Sequence, residues 1–161
     1  MKTKIELHEL KQLICTFICA ERKPFVFSPD SMMSIQGSTL RTILKEAYPD
    51  AHIRIVDHSY DIFSNSELIR WLNTDSLDKM RYIPEISDCD DFARESRCRM
   101  LRLNRIHHKN FVYAYCEGET PMGYHAFNLS YCDGDIKTIE PQNDDTKSWD
   151  KSDFKPDFIQ L

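Results

Sequence analysis

The chain has 161 residues, a formal net charge of -5 at pH 7 and a pI near 5.7, and its length suggests a single domain over residues 1–161. The acidic balance argues against a nucleic-acid-binding protein that works by neutralising phosphates. No apolar run approaches the roughly 18 residues that a membrane span needs, and no uninterrupted apolar stretch follows the basic start, so no secretory signal is predicted. We therefore expect a cytoplasmic protein, or one released without a classical signal peptide, in which the six cysteines are free thiols.

The first half of the chain shows a helical pattern and little that points to a function. Apolar residues recur at helical spacing over residues 5–19, and a second helix is predicted from about Ser38 to before Pro49. After an extended segment, a capping-box pattern from Ser64 to Glu67 predicts the start of a third helix. Residues 1–80 are therefore expected to be mostly helical, with no assigned role.

The second half combines one helix start with three strand-like segments. Asp88 is the expected N-cap of a helix, and Cys89 lies on the apolar face of that helix. Aromatic and β-branched residues then favour three strands. These strands are Phe111–Cys116, Tyr124–Tyr131 and Ile136–Glu140. The prediction is an α+β domain in which the helix that carries Cys89 packs on a small antiparallel sheet.

The connection between the last two predicted strands fixes their register. Asp133-Gly134 suits a two-residue hairpin turn, and counting outward from that turn pairs Phe127 with Glu140. Side chains alternate along a strand, so His125 shares a face with Phe127 and becomes a diagonal neighbour of Glu140. A slip of one residue would put the two side chains on opposite faces.

Three of these residues have the chemistry of a nucleophilic site. A cysteine in the first turn of a helix, such as Cys89, has its thiolate favoured by unpaired backbone N–H groups and by the helix dipole. His125 is then the candidate base and Glu140 the residue that orients the imidazole. Taken singly, each residue also has a structural explanation. Cys89 could be a small buried hydrophobic residue, His125 a hydrogen-bonded residue within a strand, and Glu140 the solvent-exposed end of a strand. Only the joint arrangement suggests catalysis.

The aspartates around Cys89 predict a metal site. Asp88, Asp90 and Asp91 flank the cysteine, and nearby carboxylates raise the pKa of a thiol. A divalent cation would neutralise them, with Ca²⁺ the first choice and Mn²⁺ the second, because all candidate ligands are oxygens. Asn143, shortly after the last predicted strand, is a further candidate ligand. The alternative is that these side chains only cap a helix and fill a turn.

Three segments together resemble the protease domain of the fungal lectins related to the Marasmius oreades agglutinin. They are residues 88–93, 125–128 and 140–142. The resemblance implies a papain-like fold and a triad of Cys89 as nucleophile, His125 as base and Glu140 as third member. It also implies activation by calcium or manganese, with metal contacts near the aspartates that follow Cys89. It spans residues 82–143, the expected catalytic core, and a more distant likeness is to transglutaminase-like peptidases.

The leading hypothesis is therefore a papain-like cysteine peptidase, a hydrolase that acts on a protein or peptide substrate and is activated by a divalent cation. Acyl transfer to an amine shares the same acyl-enzyme and stays open. The alternative from another class is a non-catalytic, metal-stabilised interaction module of the same fold. No repeated Gln-x-Trp pattern of a β-trefoil lectin is present, so a carbohydrate-binding half is not predicted. No nucleic-acid or membrane partner is expected, and the sequence leaves the oligomeric state open.

Overall fold

The computed structural model describes residues 25–27, 33–121, 123–148 and 153–161. The helix predicted over residues 5–19, which includes Cys15 and Cys19, lies outside these ranges.

The described residues form three α-helices and one short 3-10 helix. These are α1 (Gly37–Ala47), α2 (Asn65–Asp75), the 3-10 helix Leu77–Lys79, and α3 (Cys89–His107). The helix start predicted from the capping-box pattern is confirmed, because the Ser64 side chain accepts a hydrogen bond from the Glu67 N–H at 3.2 Å. The helix predicted to begin after Asp88 is confirmed as α3.

Eight strands in the described segments form two sheets. They are β1 (Met33–Gln36), β2 (His52–Arg54), β3 (Ser59–Ile62), β4 (Tyr113–Thr120), β5 (Gly123–Cys132), β6 (Asp135–Glu140), β7 (Asp145–Ser148) and β8 (Lys155–Gln160). Strands β1 and β3 pair as a separate antiparallel ribbon, and the main sheet has six strands in the order β2-β8-β4-β5-β6-β7. The β2–β8 pair is parallel and the other pairs are antiparallel. Strands on both sides of residues 82–143 therefore complete the sheet.

Helices cover both faces of the main sheet. On one face, Leu40 and Leu44 of α1 pack in a cluster with Phe127 and Leu129 of β5. On the other face, α2 and α3 pack against alternate residues of the same sheet, including Tyr113. This arrangement confirms the predicted α+β class, with α3 packed on a largely antiparallel sheet.

The β5–β6 hairpin has the predicted register. Cys132 pairs with Asp135, and the two turn residues, Asp133 and Gly134, have φ of 50° and 85°. Positive φ at both positions is the geometry of a type I′ turn, which matches the twist of the strands. The Asp133 carboxylate also accepts a hydrogen bond from the Asn65 N–H at 2.8 Å, so the turn is joined to the start of α2.

Candidate functional site

The site begins where a turn leads into α3. Asp88 is the N-cap residue by its extended backbone, but its side chain makes no capping hydrogen bond to α3. Its Oδ2 instead accepts from the Glu85 N–H at 3.2 Å, and this bond closes the turn before the helix. Cys89 is then the first residue of α3 and is half-buried. The helix places the thiol at its N-terminus, as expected from the sequence.

Three carboxylates surround this helix start. Candidate ligand atoms of Asp88, Asp90 and Asp91 all lie within 4.8 Å of one another. Contact between the two side chains raises the pKa of the Asp88 carboxyl and lowers the pKa of Asp90. The Asp88 Oδ1 is buried without a hydrogen-bond partner among the described residues, while Arg94 pairs with Asp90. The donor set fits a hard cation, since an unpartnered carboxylate oxygen is the ligand that such an ion prefers.

His125 and Glu140 are in direct contact. The His125 Nε2 lies 2.5 Å from the Glu140 Oε2, and the Glu140 Oε1 accepts from the Gln142 N–H at 3.1 Å. Both side chains are shielded, with exposed fractions of 13% and 17%. The carboxylate is therefore held from two sides, and the bond through Nε2 leaves Nδ1 as the ring nitrogen for a second partner.

The remaining predicted site residues occupy separate places. Cys89 packs against the cluster of Ala93, Tyr115 and Ala126, which puts the cysteine beside the residue that follows His125 in β5. Asn143 lies in the turn between β6 and β7, where its Oδ1 accepts from the Asp145 N–H at 2.9 Å. That amide oxygen is thus engaged in a local turn. The roles assigned to these residues from the sequence stay predictions.

Asn128, a fully buried polar residue between α3 and the sheet, was not among the residues predicted for the site. Its Nδ2 donates to the Ala93 carbonyl at 2.9 Å and to the Ala114 carbonyl at 3.0 Å. The residue thereby joins α3 to β4 and β5 directly beneath the cysteine-bearing turn. In the sequence, Asn128 is a single amide within an otherwise apolar stretch of β5. The sequence pattern alone does not show whether such a residue is buried or faces solvent.

No family model and no curated protein sequence matches the chain. Solved structures share its fold. PSL1a, a Polyporus squamosus lectin, in complex with E64 superposes with a TM-score of 0.70 at 20% identity, over 80% of this chain and 50% of that chain. Polyporus squamosus lectin bound to the epitope Neu5Aca2-6Galb1-4GlcNAc gives a TM-score of 0.66 at 19% identity, over 80% and 49%. The chain spans about half the length of these lectin chains, and the likeness shows the fold alone.

These comparisons correct one prediction from the sequence. The comparisons point away from the assignment as a papain-like cysteine peptidase, because the solved structures that share the fold are those of Polyporus squamosus lectin. A likeness in three short segments reflected a shared fold, and a fold supports more than one function.

None of the helices among the described residues combines the length and the apolar composition that a membrane-spanning helix requires.

Proposed function

We propose that this chain is a non-catalytic interaction module that binds its ligand beside the start of α3, with a divalent cation stabilising that surface. The observation that carries the proposal is the unpartnered, buried Asp88 Oδ1 within the three-carboxylate cluster. The lectin structures that share the fold support a binding function.

The cation has a physical role at this position. A buried acceptor without a partner costs about 1–3 kcal/mol, and three close carboxylates repel one another. Calcium bound by Asp88, Asp90 and Asp91 would remove both costs and fix the turn that leads into α3. Manganese is the second choice, since it also takes oxygen ligands. Arg94, which pairs with Asp90, would compete with the ion and lower its affinity.

The surface next to the cation site has the composition of a binding surface. Tyr82, Ile83 and Ile86 are 48%, 37% and 73% exposed, and exposed apolar groups that cluster together mark interaction sites. These side chains lie on an ordered turn, because the Ile83 N–H donates to the Ser87 carbonyl at 2.9 Å and the Ser87 N–H donates to the Ile83 carbonyl at 2.8 Å. We call residues 82–86 the apolar turn. A ligand there would contact an aromatic ring and two aliphatic side chains within one turn of the carboxylates.

The comparison structures supply two ligands to test. One lectin was solved with Neu5Aca2-6Galb1-4GlcNAc and the other with E64. We propose a carbohydrate as the ligand class, with the trisaccharide as the probe. Calorimetric titration of the trisaccharide, in calcium and in excess chelator, should show binding that calcium strengthens. E64 is a peptidyl epoxide that alkylates reactive thiols, so its covalent attachment to Cys89 would contradict the non-catalytic assignment.

Matched variants locate the site. Tyr82→Ala should weaken binding at least about tenfold, or about 1.4 kcal/mol, whereas Val56→Ala, at an exposed residue elsewhere, should leave it unchanged. Equal binding by both variants would place the ligand away from the apolar turn. Hydrolysis of a protein substrate that is lost in Cys89→Ala would overturn the non-catalytic assignment.

A further inference from the structure

Beyond the start of α3, the described residues leave one face of the main sheet uncovered. The helix covers Tyr115 of β4 and Ala126 of β5, which pack in a cluster with Ala93. Further along the same two strands, Glu119 is exposed and its cross-strand neighbour Tyr124 is 57% exposed. Because side chains alternate along a strand, both residues share the sheet face on which α3 lies. An aromatic ring and a carboxylate therefore stand side by side in solvent.

A β-bulge brings a further carboxylate to this face. The register between β4 and β8 shifts after Glu117, which leaves Asp157 as an extra, unpaired residue of β8. Bulges re-aim side chains, and the Tyr124 hydroxyl donates to the Asp157 carboxylate, whose oxygens lie 3.0 and 3.2 Å away. Glu117 is the diagonal neighbour of Tyr124 across β4 and β5. We call these four residues the acidic face: Glu117, Glu119, Tyr124 and Asp157.

The acidic face carries negative charge that the described residues do not neutralise. No lysine, arginine or histidine among them forms an ion pair with Glu119 or Asp157. Lys155 is the cross-strand neighbour of Glu119 in β8, yet no ion pair joins the two side chains. Burial, the hydrogen bond to Asp157 and the surrounding carboxylates raise the pKa of Tyr124 to about 12. The ring therefore lies in a negative field that favours a cation.

Elsewhere in the chain, a ring beside a carboxylate holds an arginine. The Arg94 guanidinium lies over the Tyr115 ring, 5.3 Å from its centre, and its Nη2 is 4.0 Å from Glu117. The Arg70 guanidinium lies 4.1 Å from the centre of the Phe25 ring and pairs with a glutamate of the same helix at 2.5 Å. A planar guanidinium can stack on a ring and pair with a carboxylate at once. The acidic face presents the same two groups to a guanidinium from another chain.

From this pattern we infer that the acidic face binds an extended, arginine-containing segment of a protein partner. Glu117 and Glu119 lie two residues apart on one strand, a separation of about 7 Å. An extended peptide repeats its side chains on one face at the same interval, so arginines at alternate positions reach both carboxylates, and one of them stacks on Tyr124. The inference is independent of the proposed function, because none of these residues belongs to the aspartate cluster or to the apolar turn.

The probe is the acetylated and amidated peptide Gly-Arg-Ser-Arg-Gly, titrated into the full chain at low salt and followed by two-dimensional NMR and calorimetry. We expect saturable binding with shifts at the ends of β4 and β5. The same peptide with citrulline for arginine should bind at least about tenfold more weakly, because it keeps the shape and loses the charge. Affinity should be the same in calcium and in excess chelator. Binding that calcium abolishes would place the peptide at the aspartates beside Cys89 and would overturn the inference.

Matched variants locate the peptide on the sheet. Glu119→Gln should weaken binding about threefold and its combination with Asp157→Asn about tenfold, as expected for exposed charge pairs. The control is Glu46→Gln, which removes the same charge at an exposed position of α1 and should leave the affinity unchanged. Equal affinities of Glu119→Gln and Glu46→Gln, or of the arginine and citrulline peptides, would overturn the inference.

Two changes at Tyr124 separate the ring from its hydroxyl. Tyr124→Leu should weaken binding about threefold, because it removes the ring on which the guanidinium stacks. Tyr124→Phe keeps the ring and frees the Asp157 carboxylate from its hydrogen bond, so it should bind at least as tightly as the unmodified chain. The side chain is exposed, so neither substitution should unfold the protein, which the melting temperature checks. Unchanged binding by a folded Tyr124→Leu chain would contradict the stacked arrangement.

Discussion

At the scale of single residues, burial should decide which thiols react. Cys98 is exposed, Cys89 is half-buried, and Cys116 and Cys132 are buried. Burial raises the pKa of the Cys116 thiol and raises the pKa of Cys132 to about 11. Of the four cysteines in the described part of the chain, we expect iodoacetamide at pH 8 to modify Cys98 first and Cys89 more slowly.

The two buried thiols should stay unmodified until the chain unfolds, including at pH 9, because a thiol with a pKa near 11 is almost fully protonated there. Peptide mass spectrometry after timed labelling measures the order. Modification of Cys89 ahead of Cys98 would show an activated thiol and would contradict the non-catalytic assignment.

Asn128 should be a sensitive polar position in the core. Its replacement by alanine leaves the carbonyls of Ala93 and Ala114 without the donor that they share. We expect Asn128→Ala to lower the free energy of unfolding by about 2 kcal/mol, measured by urea denaturation. The control is Asn73→Ala, at an exposed position of α2, which should change it by less than about 0.5 kcal/mol. Equal effects of the two substitutions would mean that the buried amide contributes nothing specific.

At the scale of elements, the β5–β6 turn should govern how well His125 meets Glu140. Gly134 has a φ of 85°, which an L-residue adopts at a cost of about 1–2 kcal/mol. Gly134→Ala should therefore lower the free energy of unfolding by about 1 kcal/mol, read from urea denaturation. Asp133→Asn should cost little, because asparagine tolerates the left-handed conformation and keeps an acceptor oxygen. A neutral Gly134→Ala would contradict the assigned turn.

The contact between α2 and α3 depends on Arg99. Its Nη1 donates to the Asp75 carbonyl at 3.1 Å and pairs with the carboxylate of the same residue, which is 9% exposed. Arg99→Met should cost about 2 kcal/mol, since it removes the cation that pairs with a mostly buried carboxylate. Arg102→Met, which changes an exposed arginine one turn away on α3, should be nearly neutral in thermal denaturation. A loss no larger than that of the control would show that the pair is only a surface contact.

Elements that depend on short sequence patterns were predicted correctly. The start of α3, the capping box of α2 and the β5–β6 hairpin each follow from a few adjacent residues, and the hairpin register then placed His125 beside Glu140. Strand β8 had no such signal. It contains Pro156, which lacks an N–H, and it pairs in parallel with the distant β2. Gly118, opposite Pro156, permits this approach, since a Cβ there would lie 2.3 Å from the Lys155 carbonyl oxygen.

At the scale of the whole molecule, the sequence predicted the class of fold better than the activity. The α+β arrangement follows from amphipathic helices and strands of the right length, which any function on this fold would need. The peptidase assignment came from residue types at three positions. Whether Asp88 has a partner, or which thiol is buried, depends on contacts between distant segments that spacing does not specify. The division into a core at residues 82–143 and a first part of unassigned role stays a prediction.

The central claim is that a divalent cation stabilises the start of α3 through Asp88, and calcium titration of chelator-treated protein tests it most directly. An ion that binds only the folded state should raise the melting temperature, by a stabilisation of about 2.7 kcal/mol at 100 times its dissociation constant. Asp88→Asn should shift that curve to higher calcium, while Asp50→Asn, at an exposed position outside the cluster, should leave it in place. A melting temperature that calcium does not change, or the same curve for both variants, would contradict the claim and leave the aspartates as simple turn and helix-start residues.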